Sequence, residues 1–275
     1  VALFSGLLIK AGVAGAALGL VLMPAMLGVV ALITWASHLP DVWRRPIWKS
    51  APNDMRDLFT YSLVMLIATP ALPIAQVLVR DMVGGAVGWE YVGYWQGVLK
   101  ISDVYMQFVG MVLIYYALPR FSAQPTLRAL NLCVRHICKL LLPTLRAGFA
   151  LMYVLRDWII QLLFNDSFAP MRDYFLPQML GDFVRTLGSL CVFYALSRGT
   201  RSMLAGYELC MALSLWVMTS LLLPAYGGFS ISYAYVIASM VAVLFVGACC
   251  WRYKRRWANA PASTAASLTV DEVLP

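Results

Sequence analysis

Residues 230–251 read SISYAYVIASMVAVLFVGACCW, 22 consecutive positions without a charged side chain. A helix rises about 1.5 Å per residue, so such a run crosses the ~30 Å of hydrocarbon in a bilayer. Its far end is abrupt: Arg252, Lys254, Arg255 and Arg256 follow at once. Upstream, residues 202–223 form a second run whose one charged side chain is Glu208. The connection 224–229 between them carries no charge. Two apolar helices joined by an uncharged turn make a membrane hairpin, and the same grammar continues toward the N-terminus. Hydropathy predicts seven spans, at about 12–35, 57–79, 92–118, 137–155, 174–196, 202–223 and 230–251. The expected fold is therefore all-α, a polytopic transmembrane helix bundle.

Composition agrees. Of 275 residues, 61% are hydrophobic and 12% charged, against about 25% charged in a soluble domain. Residues 1–9 are apolar and too short to span, with neither a basic n-region nor a cleavage site after them. They read as the end of a helix that starts upstream, which makes the chain an N-terminally incomplete product. Six cysteines (Cys133, Cys138, Cys191, Cys210, Cys249, Cys250) form no CxxC pair, so they read as small apolar residues, with no disulfide framework or zinc site. His38 and His136 stand alone in polar connections.

The basic residues set the expected orientation. Connections 36–56, 119–139 and 197–201 and the tail after 251 hold 14 Lys and Arg together. The alternate connections hold three: Arg80, Arg156 and Arg172. The basic side is expected to be cytoplasmic, with the C-terminus inside. The net charge of +8 comes from these flanks, so it points to anionic lipid heads and not to nucleic acid. Residues 156–164 are expected to form a short interfacial helix on the outer side, and 257–275 a disordered tail. Gly15 and Gly19 make a GxxxG pair, a weak sign of close helix packing. Pro70 and Pro73 in the run Thr69-Pro70-Ala71-Leu72-Pro73 predict a bent second span, either a hinge or cavity wall or a plain structural kink.

Charge inside a membrane is costly, roughly 2.5–3.5 kcal/mol per residue on insertion scales, so it marks a cavity or an ion pair. The third span carries Gln96, Lys100, Asp103 and Gln107, spaced 4, 3 and 4 along one helical face. The fifth carries Gln178, Asp182, Arg185 and Ser189 at the same spacings. The sixth adds Glu208 and the fourth Arg146. Two readings remain open. In one, Lys100–Asp103 and Arg185–Asp182 are i,i+3 pairs that hold helices together. In the other, the stripes face a shared aqueous cavity, where Lys100, Arg146 and Arg185 attract phosphate or pyrophosphate and Asp103, Asp182 and Glu208 balance them.

No Gly-rich phosphate loop, metal-ligand cluster or Ser/His/Asp set is visible, and no cofactor is expected. A membrane polymerase or ligase needs carboxylates in a sizeable outer loop, and the longest here is about 18 residues. Stripes of mixed sign suit a large zwitterionic or anionic cargo better than a channel's filter ring. A lipophilic-cation exporter would favour acids over the bases seen.

Residues 92–97 (VGYWQG) and 101–108 (ISDVYMQF) resemble the eighth span of the polysaccharide-lipid flippases, within the multidrug/oligosaccharidyl-lipid/polysaccharide exporter superfamily. Residues 155–158 (LRDW), 168–173 (FAPMRD), 178–182 (QMLGD), Tyr207-Glu208 and 223–227 (LPAYG) continue the resemblance in order. It covers most of 12–256 and lies with the branch that handles the enterobacterial common antigen unit. Asp103, Asp182 and Glu208 stand where that branch has acids, and Arg185 at a basic position. Lys100 departs from the pattern, which has a small polar residue there.

The resemblance implies a twelve-helix transporter of two six-helix lobes about a central cavity. Residues 57–256 would be the C-terminal lobe, and 1–56 the end of the N-terminal lobe with the inter-lobe cytoplasmic loop. About one and a half helices would thus precede the lobe. It further implies flipping of an undecaprenyl-pyrophosphate-linked oligosaccharide across the bacterial inner membrane, with an O-antigen unit as alternative cargo. Membrane lipids, and the polymerase and chain-length proteins of the same pathway, are the other implied partners. A single lobe lacks the second wall of the cavity and is expected not to transport by itself.

Overall fold

The computed structural model describes residues 22, 25–34, 59, 62, 63, 66, 68–198, 200 and 202–258, and the remaining positions lie outside the description. The chain divides into two compact units, Val1–Phe59 and Thr60–Pro275. In the first, a helix α1 runs over Ala25–Thr34 with its side chains exposed. The expected stub, the GxxxG pair, the loop 36–56 and the tail after 258 fall outside the described residues.

The second unit is a bundle of long helices. α2 spans Ala71–Val87 and α3 Trp89–Met111. A π-helical segment, Val112–Ala117, then carries the chain into the short α4, Leu118–Ser122. The wide turn sits beside Pro119, which has no N–H to return to the preceding turn. α5 runs over Leu127–Leu163, α6 over Phe175–Leu196, α7 over Ser202–Tyr226 and α8 over Ser230–Ala258. A 3-10 segment, Asp166–Tyr174, leads into α6, and another, Gly227–Phe229, separates α7 from α8. Among the described residues there is no strand.

Local chemistry explains the joints. Thr126 is extended and its Oγ1 accepts from the Ala129 N–H at 3.2 Å, capping α5. The α2–α3 and α7–α8 joints turn at Gly88 (φ 111°) and Gly227 (φ 50°), backbone that L side chains rarely adopt.

α8 packs along both α6 and α7, and α2 packs along α7. Trp95, Tyr174, Tyr207 and Tyr235 fill the interior. The outside is as apolar as the core: Tyr115, Leu244, Val154 and Leu221 are each at least 66% exposed. In water such a surface would aggregate, whereas against lipid tails it costs nothing. The helices over Trp89–Ser122, Leu127–Leu163 and Asp166–Leu196 are long and apolar enough to cross a membrane. So is the stretch Ser202–Lys254, which crosses twice because it turns at Gly227–Phe229. The protein is an all-α, multi-pass transmembrane bundle.

Three expected connections shorten, and one of them, 119–139, narrows to 123–126 because α5 begins at Leu127. Residues 80–91 do not form a loop: α2 continues to Val87 and α3 begins two residues later. Val79 and Val83 keep that stretch buried, and the Arg80 guanidinium lies 5.8 Å from the Trp95 ring centroid. Residues 156–163 are not a separate interfacial helix but the end of α5. Ile160 is buried there, and the Phe164 N–H still donates to its carbonyl at 2.8 Å. At Thr69-Pro70 the second span does break into a turn before α2 begins.

Candidate functional site

The two polar stripes meet, but they build two different places. The first is a sealed knot between α3, α6 and α8. Asp182 is fully buried on α6. Its Oδ2 accepts from the Ser102 hydroxyl at 2.5 Å and from the Tyr105 hydroxyl, both on α3. Its Oδ1 accepts from the Tyr235 hydroxyl on α8 at 2.6 Å and from the Gln178 amide at 3.4 Å. The same Gln178 amide lies 3.4 Å from Ser102 Oγ. An ionised carboxylate has about four acceptor sites, and four donors surround this one. A buried carboxylate survives only if so supplied, since an unmet polar group in the interior costs several kcal/mol.

Gly181 makes the knot possible. A Cβ there would lie 2.4 Å from the Tyr235 ring, so only glycine lets Tyr235 come close enough to reach Asp182. Farther along α6, Thr186 Oγ1 donates back to the Asp182 carbonyl at 2.9 Å.

The second place is a cavity of about 460 Å³. Its polar wall is Thr69, Gln76, Asp103, Arg185 and Glu208, with Pro73 among the apolar positions. The break at Thr69-Pro70 and the start of α2 thus serve as cavity wall. Asp103 reaches it from α3, Arg185 from α6 and Glu208 from α7. Lys100 stands at the margin, with Nζ 3.1 Å from Asp103 Oδ2, and it is 72% exposed. The Arg185 backbone is braced by the Tyr207 hydroxyl, which donates to its carbonyl at 3.2 Å. A guanidinium in a wall with two carboxylates can offer a planar pair of donors to an incoming phosphate and stays balanced when none is present.

Of the residues singled out by sequence, Asp103, Arg185 and Glu208 come together at the cavity. Gln178 and Asp182 go to the knot instead. Of the two i,i+3 pairs considered, Lys100–Asp103 forms. Asp182 takes its hydrogen bonds from hydroxyls and an amide, not from Arg185. Gln96 is half-buried on α3 and Gln107 exposed, and neither is in the cavity wall. Arg146 lies on the exposed face of α5, apart from the cavity. Sequence reasoning missed Ser102, Tyr105, Tyr235 and Gln76. Ser102 and Tyr105 flank Asp103 and share a motif with it, a usable signal. Tyr235 lies in an uncharged span and sends none.

Fold and cavity together define a multi-pass membrane bundle with a polar cavity among its helices. No family model matches the chain. The chain is 30% identical over 241 residues to the lipid III flippases of Escherichia coli (strain K12) and Shigella flexneri. The match takes in 87% of this chain and 57% of each flippase. The chain thus spans little more than half the length of the curated relatives it matches. Its fold is similar to that of the Vibrio cholerae MATE transporter VcmN in the bent form, with TM-score 0.60 and 14% identity. That likeness covers 78% of this chain and 51% of the transporter. Both comparisons lead to transporters and neither to an enzyme. They meet in the multidrug/oligosaccharidyl-lipid/polysaccharide exporter superfamily, as the motifs at 92–108 and 155–182 predict.

Proposed function

We propose that this chain forms the C-terminal lobe, with the inter-lobe loop, of a flippase for an undecaprenyl-pyrophosphate-linked oligosaccharide, the lipid III unit. Transport runs from the cytoplasmic to the periplasmic leaflet of the inner membrane, by rocking of one lobe against another. Residues 57–256 make the lobe, 1–56 lead into it and 257–275 trail it on the cytoplasmic side. The carrying observation is Arg185 in the wall of an open cavity with Asp103 and Glu208, within the stretch aligned to lipid III flippases. Arg185 takes the pyrophosphate, the two acids balance it between cycles, and the lipid tail stays in the bilayer. Basic flanks of 14 against three support a cytoplasmic C-terminus. The polymerase and chain-length proteins of the same pathway are the expected neighbours.

The test is a chimera in which this chain replaces the aligned 241 residues of the Escherichia coli flippase, expressed in a strain lacking that flippase. Rescue of enterobacterial common antigen, lost on Arg185→Gln at equal membrane level, supports the reading. Rescue only of an O-antigen flippase mutant moves the cargo to O-antigen units. Rescue that survives Arg185→Gln removes the cavity from the mechanism.

A further inference from the structure

The outer face of α5 carries a charge pattern that the cavity does not use. Arg128, Arg135, Lys139 and Arg146 are all exposed. Their spacings are 7, 4 and 7, which on a 3.6-residue helix put all four within about 40° of arc. No acid lies on α5 before Asp157, and among the described residues none of the four makes an ion pair.

Depth sharpens the problem. α5 has 37 residues, about 55 Å of helix against ~30 Å of hydrocarbon. One end is marked by Arg156, stacked 4.1 Å over the Tyr153 ring. Beside it are the Arg172–Asp157 ion pair at 3.1 Å and the exposed Trp158, the aromatic and charged signature of an interface. Arg146 lies ten residues inward, about 15 Å, near the bilayer midplane. Lys139 lies about 10 Å farther, and Arg135 and Arg128 at and beyond the opposite boundary. The row therefore runs from the basic side of the membrane into its middle, on the exposed face of α5. Long basic side chains reach toward an interface, but Arg146 is too deep to reach either one alone. A phosphate drawn inward along the row meets each cation in turn.

We infer that this face of α5 is a binding site for an anionic phospholipid of the cytoplasmic leaflet, its phosphate held by Arg135, Lys139 and Arg146. The ligand is a resident lipid and not cargo, because α5 contributes nothing to the cavity wall. Charge complementarity commits the site: four cations on one stripe, no acid among them, in contact with a leaflet that carries anionic heads.

The test is native mass spectrometry of the detergent-purified 275-residue chain with equal amounts of phosphatidylglycerol and phosphatidylcholine. The expected result is about a tenfold excess of phosphatidylglycerol adducts. That excess disappears in Arg128→Gln/Arg135→Gln/Lys139→Gln/Arg146→Gln and persists in a charge-matched tail variant, Arg252→Gln/Lys254→Gln/Arg255→Gln/Arg256→Gln. Should the first variant fail to elute as a folded species, Arg135→Gln and Arg146→Gln singly are each expected to lower the excess about threefold. Equal binding of the two lipids, an excess that survives the α5 changes, or equal loss in the tail variant overturns the site. Displacement of phosphatidylglycerol by undecaprenyl pyrophosphate at equal concentration also overturns it, by making the carrier the ligand.

Discussion

Asp182 and Arg185 stand three residues apart on α6, and although both meet Tyr235 their surroundings differ. Asp182 is fully buried and ringed by Ser102, Tyr105, Tyr235 and Gln178. Arg185 lies in the wall of a cavity with Asp103 and Glu208. One position joins three helices into a rigid block, and the other leaves a charge available to a ligand. The 4-3-4 stripe that locates both cannot separate them. Separation comes from the neighbours: Ser102 and Tyr105 on α3 close over Asp182, while Arg185 lies with Asp103 and Glu208 in the cavity wall.

The comparison breaks most forcefully at Asp182. Asp182→Ala strands three hydroxyls and an amide in the interior, where each unmet group costs about 1–3 kcal/mol. We expect a net loss of about 3–5 kcal/mol, read as a collapse of thermal stability in detergent and of membrane level. Arg185→Gln is expected to cost less, because the Tyr235 hydroxyl beside its guanidinium keeps Asp182 as a partner. In the chimera it should lower transport at least 100-fold, read by surface antigen per unit of membrane protein. If the two variants lose stability equally, the distinction between knot and cavity fails.

Gly181→Ala sharpens the account of the knot. Its Cβ would lie 2.4 Å from the Tyr235 ring, and overpacking of this kind costs about 1–3 kcal/mol. The loss should shrink when Tyr235→Phe is already present, because the hydrogen bond to Asp182 has then gone. Lys100→Gln should do least. Its ion pair with Asp103 is exposed, and such pairs contribute about 0–1 kcal/mol. Stability and antigen rescue should both stay near the parent's.

The sequence made the bundle legible because lipid imposes a length on every apolar run. The runs at 92–118, 174–196, 202–223 and 230–251 fall within observed helices. What hydropathy could not read is where a helix stops once charge appears. Arg80 and Arg156 read as loop residues, yet α2 and α5 continue past them because Val83 and Ile160 remain packed. The candidate site was legible in part for a related reason. Charged residues in a span announce themselves, so Asp103, Asp182, Arg185 and Glu208 were found. The hydroxyls that decide their roles do not, since serine and tyrosine are ordinary in apolar helices. Gly181 was the readable clue, a residue without a side chain directly before a buried acid. Arg146 was legible as a charge in a span, but which side of α5 it occupies depends on packing that no single helix specifies.

The most direct measurement is antigen rescue by the chimera carrying Arg185→Gln, compared with Arg185→Lys, at matched membrane level. The account predicts loss in the first and partial recovery in the second, because lysine restores the charge but not the planar pair of donors. Full rescue by Arg185→Gln would contradict it.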